Sequence, residues 1–256
     1  MTPLGGDRAA PLGGGRIGTW TKLPALESVQ IAAHAGFDFV VVDQEHAPLD
    51  LRTAYELITV AAALGTTPLV RVADGAPSGI QRLLDAGAAG VLIPHVDTVE
   101  QARDAVAAVR FPPVGRRGAG GTSRAGRWGL RSREEYLATG EDALCVPQIE
   151  SREAVGNAAA IAAVDGVDAL FVGAADIGLD VAAAPSAPEV TELCGAALRA
   201  AHEAGIPCGA ATATARGAAA LLAQGFDFVV VSNDTSMLAE AASSVVHTIR
   251  GNGGPS

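Results

Sequence analysis

Short apolar runs recur along the chain near residues 16–20, 38–43, 67–71, 90–94, 144–149, 168–173, 207–211 and 226–231. Between them lie stretches in which Ala, Leu and charged residues return at helical spacing, among them 51–64, 99–109, 151–163 and 189–204. Runs that stay apolar at consecutive positions suit strands buried on both faces. Strands of that kind alternating with amphipathic helices build a parallel sheet. Repeated about eight times, the unit predicts a (β/α)8 barrel of the TIM type. No linker divides the chain, so a single barrel domain is expected over 16–250, after a loose Gly- and Pro-rich lead-in at 1–15 and before a tail at 251–256.

One stretch is used twice: Gly36-Phe37-Asp38-Phe39-Val40-Val41-Val42 returns as Gly225-Phe226-Asp227-Phe228-Val229-Val230-Val231, each time after an Ala-rich helical segment. The echo reads as architecture rather than chemistry. From Phe111 to Ser132 the rhythm breaks into a Gly- and Arg-rich insert, and long irregular inserts in compact domains are more often functional than idle. Arg116, Arg117, Arg124, Arg127 and Arg131, with Arg133 just beyond, make it basic. Contact with a neighbouring subunit or attraction of an anionic substrate is the expected use, and a solvated charged loop the plain alternative. Near the end, Met237, Leu238, Ala241, Val245 and Ile249 fall on one helical face, which has to pack on its own barrel or on another subunit.

The composition narrows the function. With 256 residues, 49% of them hydrophobic, the chain can bury a large core, and its net charge of −10 argues against nucleic acid or an anionic membrane as a general partner. No window approaches the ~20 apolar residues of a membrane span, and the first fifteen residues lack the apolar run of a secretory signal. Cys145, Cys194 and Cys208 are odd in number and are not spaced as zinc ligands. The expectation is a cytoplasmic protein, its thiols reduced and in the core, that works on small molecules.

Candidate chemistry lies where the apolar runs stop, because the carboxyl ends of parallel barrel strands share one face. Asp43-Gln44-Glu45-His46 ends the second run, and a carboxylate beside an imidazole makes a general base suited to neutral pH; a His capping the next turn is the alternative. Gln148 and Glu150 alternate onto one face of the fifth run, and Asp176 follows one unit later. Two carboxylates without Cys or His neighbours favour a hard divalent cation, although each acid also stands where a helix cap would. Arg71 ends the third run, placed to bind an anion or to form a structural ion pair. His95, after Ile93-Pro94, faces substrate or the barrel wall. Lys22, the one lysine in the chain, is the sole candidate for Schiff-base chemistry.

Taken in order, Gly18-Thr19-Trp20, Asp43-Gln44-Glu45-His46, Val70-Arg71-Val72, Arg82-Leu83-Leu84-Asp85-Ala86-Gly87, Pro147-Gln148-Ile149-Glu150 and Gly173-Ala174-Ala175-Asp176 resemble the motifs of the HpcH/HpaI family of metal-dependent pyruvate aldolases. The resemblance spans Gly18 to Ala242. It implies a (β/α)8 barrel, assembled as a hexamer or trimer, that cleaves 4-hydroxy-2-oxo acids reversibly to pyruvate and an aldehyde. It implies Glu150 and Asp176 as ligands of Mg²⁺, Mn²⁺ or Co²⁺, Arg71 as the group stabilising the enolate oxygen, and His46 with Asp43 as an acid-base dyad assisted by Asp85. Trp20, Gln148 and the segment Gly173, Ala174 and Ala175 are implied to position the substrate. The family usually has Pro at Ala174 and a small polar residue at Gly178, so the resemblance carries least for the aldehyde. An oxaloacetate-type decarboxylase using the same site, or a metabolite-binding barrel without catalysis, are the competing readings.

Overall fold

The computed structural model describes residues 12–251. Residues 252–256 of the expected tail and most of the expected lead-in lie outside the described residues. Eight parallel strands close into a barrel in chain order: β1 (Arg16–Thr21), β2 (Phe39–Asp43), β3 (Thr67–Arg71), β4 (Gly90–Ile93), β5 (Leu144–Ile149), β6 (Leu170–Val172), β7 (Cys208–Thr212) and β8 (Phe228–Asn233). Around them run α1 (Leu26–Ala35), α2 (Leu51–Ala63), α3 (Pro77–Asp85), α4 (Val99–Val109), α5 (Arg133–Asp142), α6 (Arg152–Ala162), α7 (Ala174–Asp180), α8 (Pro188–Glu203), α9 (Ala215–Ala223) and α10 (Asp234–Gly251). This is the (β/α)8 fold that the patterning predicted. Helix starts are written locally: the side chains of Asp50, Thr98, Ser151 and Thr214 each accept a first-turn amide, and at Thr98 the side chain of Gln101 reciprocates in a capping box.

Strand alternation divides the apolar residues into two cores. Val40, Val42, Val70, Val91 and Val172 face outward to the helices. Phe39, Val41, Leu69, Leu92, Val146, Phe171, Phe228 and Val230 fill the barrel, with Leu12 packed against them. The echoed phenylalanines show why glycine is needed nearby. In register, Gly18 lies beside Phe39 and Gly209 beside Phe228. A Cβ on Gly18 would stand 2.2 Å from the Phe39 ring and one on Gly209 2.1 Å from the Phe228 ring, so each ring occupies the space its neighbour vacates. The rings meet edge-on at 6.1 Å.

The echo extends to hydrogen bonding, and a third copy joins it. Gly36, Gly166 and Gly225 all take left-handed φ values of 97°, 98° and 102°, and each is followed two residues later by an aspartate. Asp38, Asp168 and Asp227 accept the backbone N–H of Ile17, Cys145 and Cys208 at 2.9, 2.7 and 2.9 Å, and return their own N–H to the same residues' carbonyls. Each thus ties a new strand to the beginning of the one before it. Arg16, Arg110 and the His202 ring lie against these carboxylates at 2.6, 2.6 and 2.9 Å. All three cysteines are buried and free; burial pushes the Cys145 and Cys194 thiols up to about 12 and about 11.

Two segments stand apart from the regular strand and helix alternation. The Arg-rich insert falls between α4 and β5, a helix-to-strand connection, and so lies at the amino end of the barrel, away from the mouth where the candidate acids sit. There it borders a cavity of about 780 Å³ lined by Thr67, Gly87, Leu144, Arg124, Trp128 and Arg131 among others. Its arginines are bound locally: Arg117 to Asp85 at 2.8 Å, Arg124 to the Ala86 carbonyl and Arg131 to that of Ala125. Attraction of substrate to this chain's own mouth is therefore not its use. The second is α10, which meets the barrel at β1 and β8 but buries none of its residues within this chain, leaving Leu238, Val245 and Ile249 more than half exposed.

Candidate active site

The inward face that carries Phe39, Leu69 and Val146 continues to the carboxyl ends of the strands as Asp43, Arg71, Gln148 and Glu150, with Trp20 beside them. At the mouth, apolar filling gives way to charge. Asp43 is fully buried and receives Arg71 through both oxygens, Nε at 2.9 Å and Nη2 at 2.7 Å, with Lys22 Nζ 2.8 Å away. Burial alone would raise this carboxyl, but the hydrogen bond and charge of Arg71 and the bond from Lys22 outweigh it and hold it at about 2. The Arg71 guanidinium lies 4.2 Å over the Trp20 ring, and its Nη1 reaches Glu45 at 2.9 Å. Arg71 is thereby held on three sides.

Glu45 begins a second chain of contacts. His95 places Nε2 3.3 Å from Glu45 and Nδ1 2.9 Å from Glu150 Oε1, and its backbone N–H donates to that same oxygen at 2.6 Å. Glu150 Oε2 accepts from Gln148 Nε2 at 2.8 Å. A Cβ on Gly173 would lie 3.4 Å from both Glu150 Oε2 and Asp176 Oδ2, so the glycine leaves open a space that both carboxylates border. Burial first, then the charges of Glu45 and Asp176, raise the Glu150 carboxyl despite His95. Three crowded acids, a glycine that leaves room between two of them and the buried Gln148 Oε1, which accepts no hydrogen bond, fit a hard divalent cation. Donor atoms of Glu45, His95 and Glu150 also lie within 4.8 Å of one another.

The sequence-derived assignments come together unevenly. Asp43, Arg71, Gln148, Glu150, Gly173 and Asp176 converge, with Ala174 and Ala175 opening α7 beside them. His46 is at the mouth, but Asp43 does not hold its imidazole. The Asp43 carboxylate accepts the backbone N–H groups of Glu45 and His46 in a tight turn, which carries the ring outward to stand 3.9 Å from Glu45. Asp85 needs a larger correction: it closes α3 at the amino end of the barrel, bound to Arg117 and Tyr136, and assists no group at the mouth within this chain. Trp20 is buried beneath Arg71. Lys22 faces a buried carboxylate instead of an apolar pocket. Gly178 has a local reason, since a Cβ there would meet the Ala183 carbonyl at 2.7 Å. Glu45, the link between the two groups of contacts, was missed, although its place two residues past a strand-end acid pointed to the same mouth.

This geometry has relatives. The profile of the HpcH/HpaI aldolase/citrate lyase family matches residues 16–241, and the chain belongs to that family. It is 40% identical over 248 residues to the hydroxypyruvate/pyruvate aldolase of Chromohalobacter salexigens, covering 95% of this chain and 97% of that one. It is also 40% identical over 234 residues to the 4-hydroxy-2-oxo-heptane-1,7-dioate aldolase of Salmonella typhimurium, covering 90% and 88%. Among solved structures, an HpcH/HpaI aldolase/citrate lyase family protein from Burkholderia cenocepacia superposes with a TM-score of 0.88 at 31% identity, over 95% of this chain and 98% of that one.

Proposed function

We propose that this protein is a divalent-metal-dependent aldolase that cleaves a 4-hydroxy-2-oxo acid reversibly to pyruvate and an aldehyde. The observation that carries the reading is that carboxylate oxygens of Glu150 and Asp176 both border the space left open at Gly173, at the same barrel mouth as the clamped guanidinium of Arg71. The activities of the two aldolase relatives support the substrate class. Glu150 and Asp176 would hold Mg²⁺, Mn²⁺ or Co²⁺, which when bound acts as a Lewis acid on the 2-oxo carbonyl.

The chain's own groups supply the remaining steps. His46 removes the proton of the C4 hydroxyl, the C3–C4 electron pair moves toward the pyruvate carbonyl, and the aldehyde departs. Arg71, held in one orientation by Asp43, Glu45 and Trp20, offsets the charge that develops on the enolate oxygen. Protonation at C3 then yields pyruvate. Gln148 orients the 2-oxo acid, and the first-turn amides of α7 at Ala174 and Ala175 bind its carboxylate. Asp43 serves by fixing Arg71 and the turn that presents His46. No helix among the described residues is long and apolar enough to cross a membrane. The three buried free thiols suit an enzyme that works in the reducing cytoplasm. The uncovered face of α10 packs on a neighbouring copy in a hexamer or trimer, which sedimentation of the full chain against a variant with Leu238 and Val245 changed to Ser tests.

Exchange of the pyruvate C3 protons with deuterium in the presence of Mn²⁺ tests the enolate chemistry without knowledge of the aldehyde. Exchange is expected to stop with a chelator and in Glu150→Ala. Exchange that survives both, or borohydride trapping of pyruvate on Lys22, would refute the reading.

A further inference from the structure

Resting on the reading that Glu150 holds a divalent ion, we propose that His95 is a positioning residue. It fixes the Glu150 carboxylate for the ion and joins it, through Glu45, to the group that clamps Arg71. His95 follows β4 with φ of 56°, a left-handed conformation that residues with a Cβ rarely adopt. Its side chain is 73% exposed, so burial does not put it there. Contacts with the two acids do.

The two oxygens of Glu150 have different partners. Oε1 accepts the backbone N–H of His95 at 2.6 Å, and the ring Nδ1 lies 2.9 Å from the same oxygen. Oε2 is turned to the opposite side, where Gln148 and Asp176 lie. A carboxylate clamped through one oxygen presents the other without having to be ordered when the ion arrives. The far nitrogen of the same ring, 3.3 Å from Glu45, carries the connection to Arg71 Nη1 at 2.9 Å. Donors of this outer kind set the direction of a metal ligand, and their loss commonly weakens metal binding by about 10–100-fold.

The left-handed backbone dictates the variants. Gly and Asn both tolerate it; His95→Gly removes the ring while keeping the backbone donor, whereas His95→Asn supplies an amide N–H at the place of Nδ1 but cannot reach Glu45. Free Mn²⁺ in titrations of the full-length proteins is read by electron paramagnetic resonance, with thermal unfolding in chelator alongside. His95→Gly should weaken Mn²⁺ binding about 10–100-fold without lowering the metal-free unfolding temperature, and His95→Asn should stay within about threefold of the parent. Equal affinity in His95→Gly, or no recovery in His95→Asn, overturns the proposal. So does a nitrogen hyperfine coupling in the parent that disappears in His95→Gly, which would make the ring a ligand. A parent that takes up no Mn²⁺ defeats the metal reading itself, and this inference with it.

Discussion

β2 and β8 are built from the same heptapeptide pattern and do the same structural work, yet only one of them opens into chemistry. Phe39 and Phe228 each fill the space left by a neighbouring glycine, and Asp38 and Asp227 each tie down the preceding strand. Past the valines the copies diverge. β2 continues into Asp43, which points inward, is fully buried and grips Arg71. β8 continues into Ser232, which takes a left-handed φ of 53°, and then Asp234, whose carboxylate accepts the backbone N–H groups of Lys22 and Leu23 at 2.9 and 3.0 Å. One aspartate orients a cation at the mouth; the other fastens the turn after β1. The strand supplies position, and the one or two residues beyond it decide whether that position is used for reaction or for joining.

The sharpest way to break this division is to neutralise both aspartates. Asp43→Asn should lower kcat/KM by about 10²–10³-fold, because Arg71 loses the charge that orients it toward developing negative charge. Asp234→Asn should leave kcat/KM within about threefold and cost only about 1 kcal/mol in stability, the net worth of ordinary hydrogen bonds. Steady-state kinetics with equal losses in the two variants would erase the distinction.

Next in size come the glycines. Gly18→Ala and Gly209→Ala each press a Cβ into a phenylalanine ring and should each destabilise by about 1–3 kcal/mol in denaturant titrations. Similar values are expected, since the two pairings are similar; a large cost at one and none at the other would mean that the barrel is looser on one side. A further prediction concerns pH and Asp43 alone. Its pKa is depressed to about 2 in the fold, so the stability it contributes is fully present above its ordinary value near 4 and is lost as pH falls toward 2. The stability gap between the parent and Asp43→Asn should shrink by roughly 2 kcal/mol between pH 5 and pH 2. No equivalent narrowing is expected for Ser232→Ala, which removes no titrating group.

The strands and helices were legible because β-branched runs and capped amphipathic segments carry their own signals: the helix expected at 99–109 is α4, and the runs at 67–71 and 144–149 are β3 and β5. The third Gly-x-Asp junction went unread because Val167 stands for Phe and Ala169-Leu170-Phe171 for the Phe-Val-Val run, although the hydrogen bonding of Asp168 is the same. At the site, alternation was enough to bring Asp43, Arg71, Gln148 and Glu150 together. It could not say which acid neighbours the His46 ring, because the turn after β2 decides that. Asp85 was expected to assist the dyad, yet a residue closing a helix in this fold lies at the amino end, so within this chain it does not reach the mouth. The roles of Lys22, Glu45 and His95 depend on side chains crossing from one loop to the next, and no periodicity encodes such crossings.

The smallest effect separates the echoed aspartates themselves. Asp38 and Asp227 each accept one N–H near a strand start at 2.9 Å and differ in the side chain beside them, the Arg16 guanidinium for the first and the His202 ring for the second. Both carboxylates are about 30% exposed, so solvent weakens each side-chain contact and the shared backbone bond should dominate. Asn can accept that bond through its carbonyl oxygen while losing the charge. Asp38→Asn and Asp227→Asn should therefore cost similar amounts, each below about 1 kcal/mol, at neutral pH. Replacement by Ala removes the acceptor as well and should cost about 1–2 kcal/mol more at Asp227, where the N–H of the buried Cys208 is left without a partner, and less at Asp38, where Ile17 is exposed and water can take the acceptor's place. An Asp227 junction that tolerates Ala would show that β7 is held chiefly by its helices, and that a repeated sequence is not carrying a repeated load.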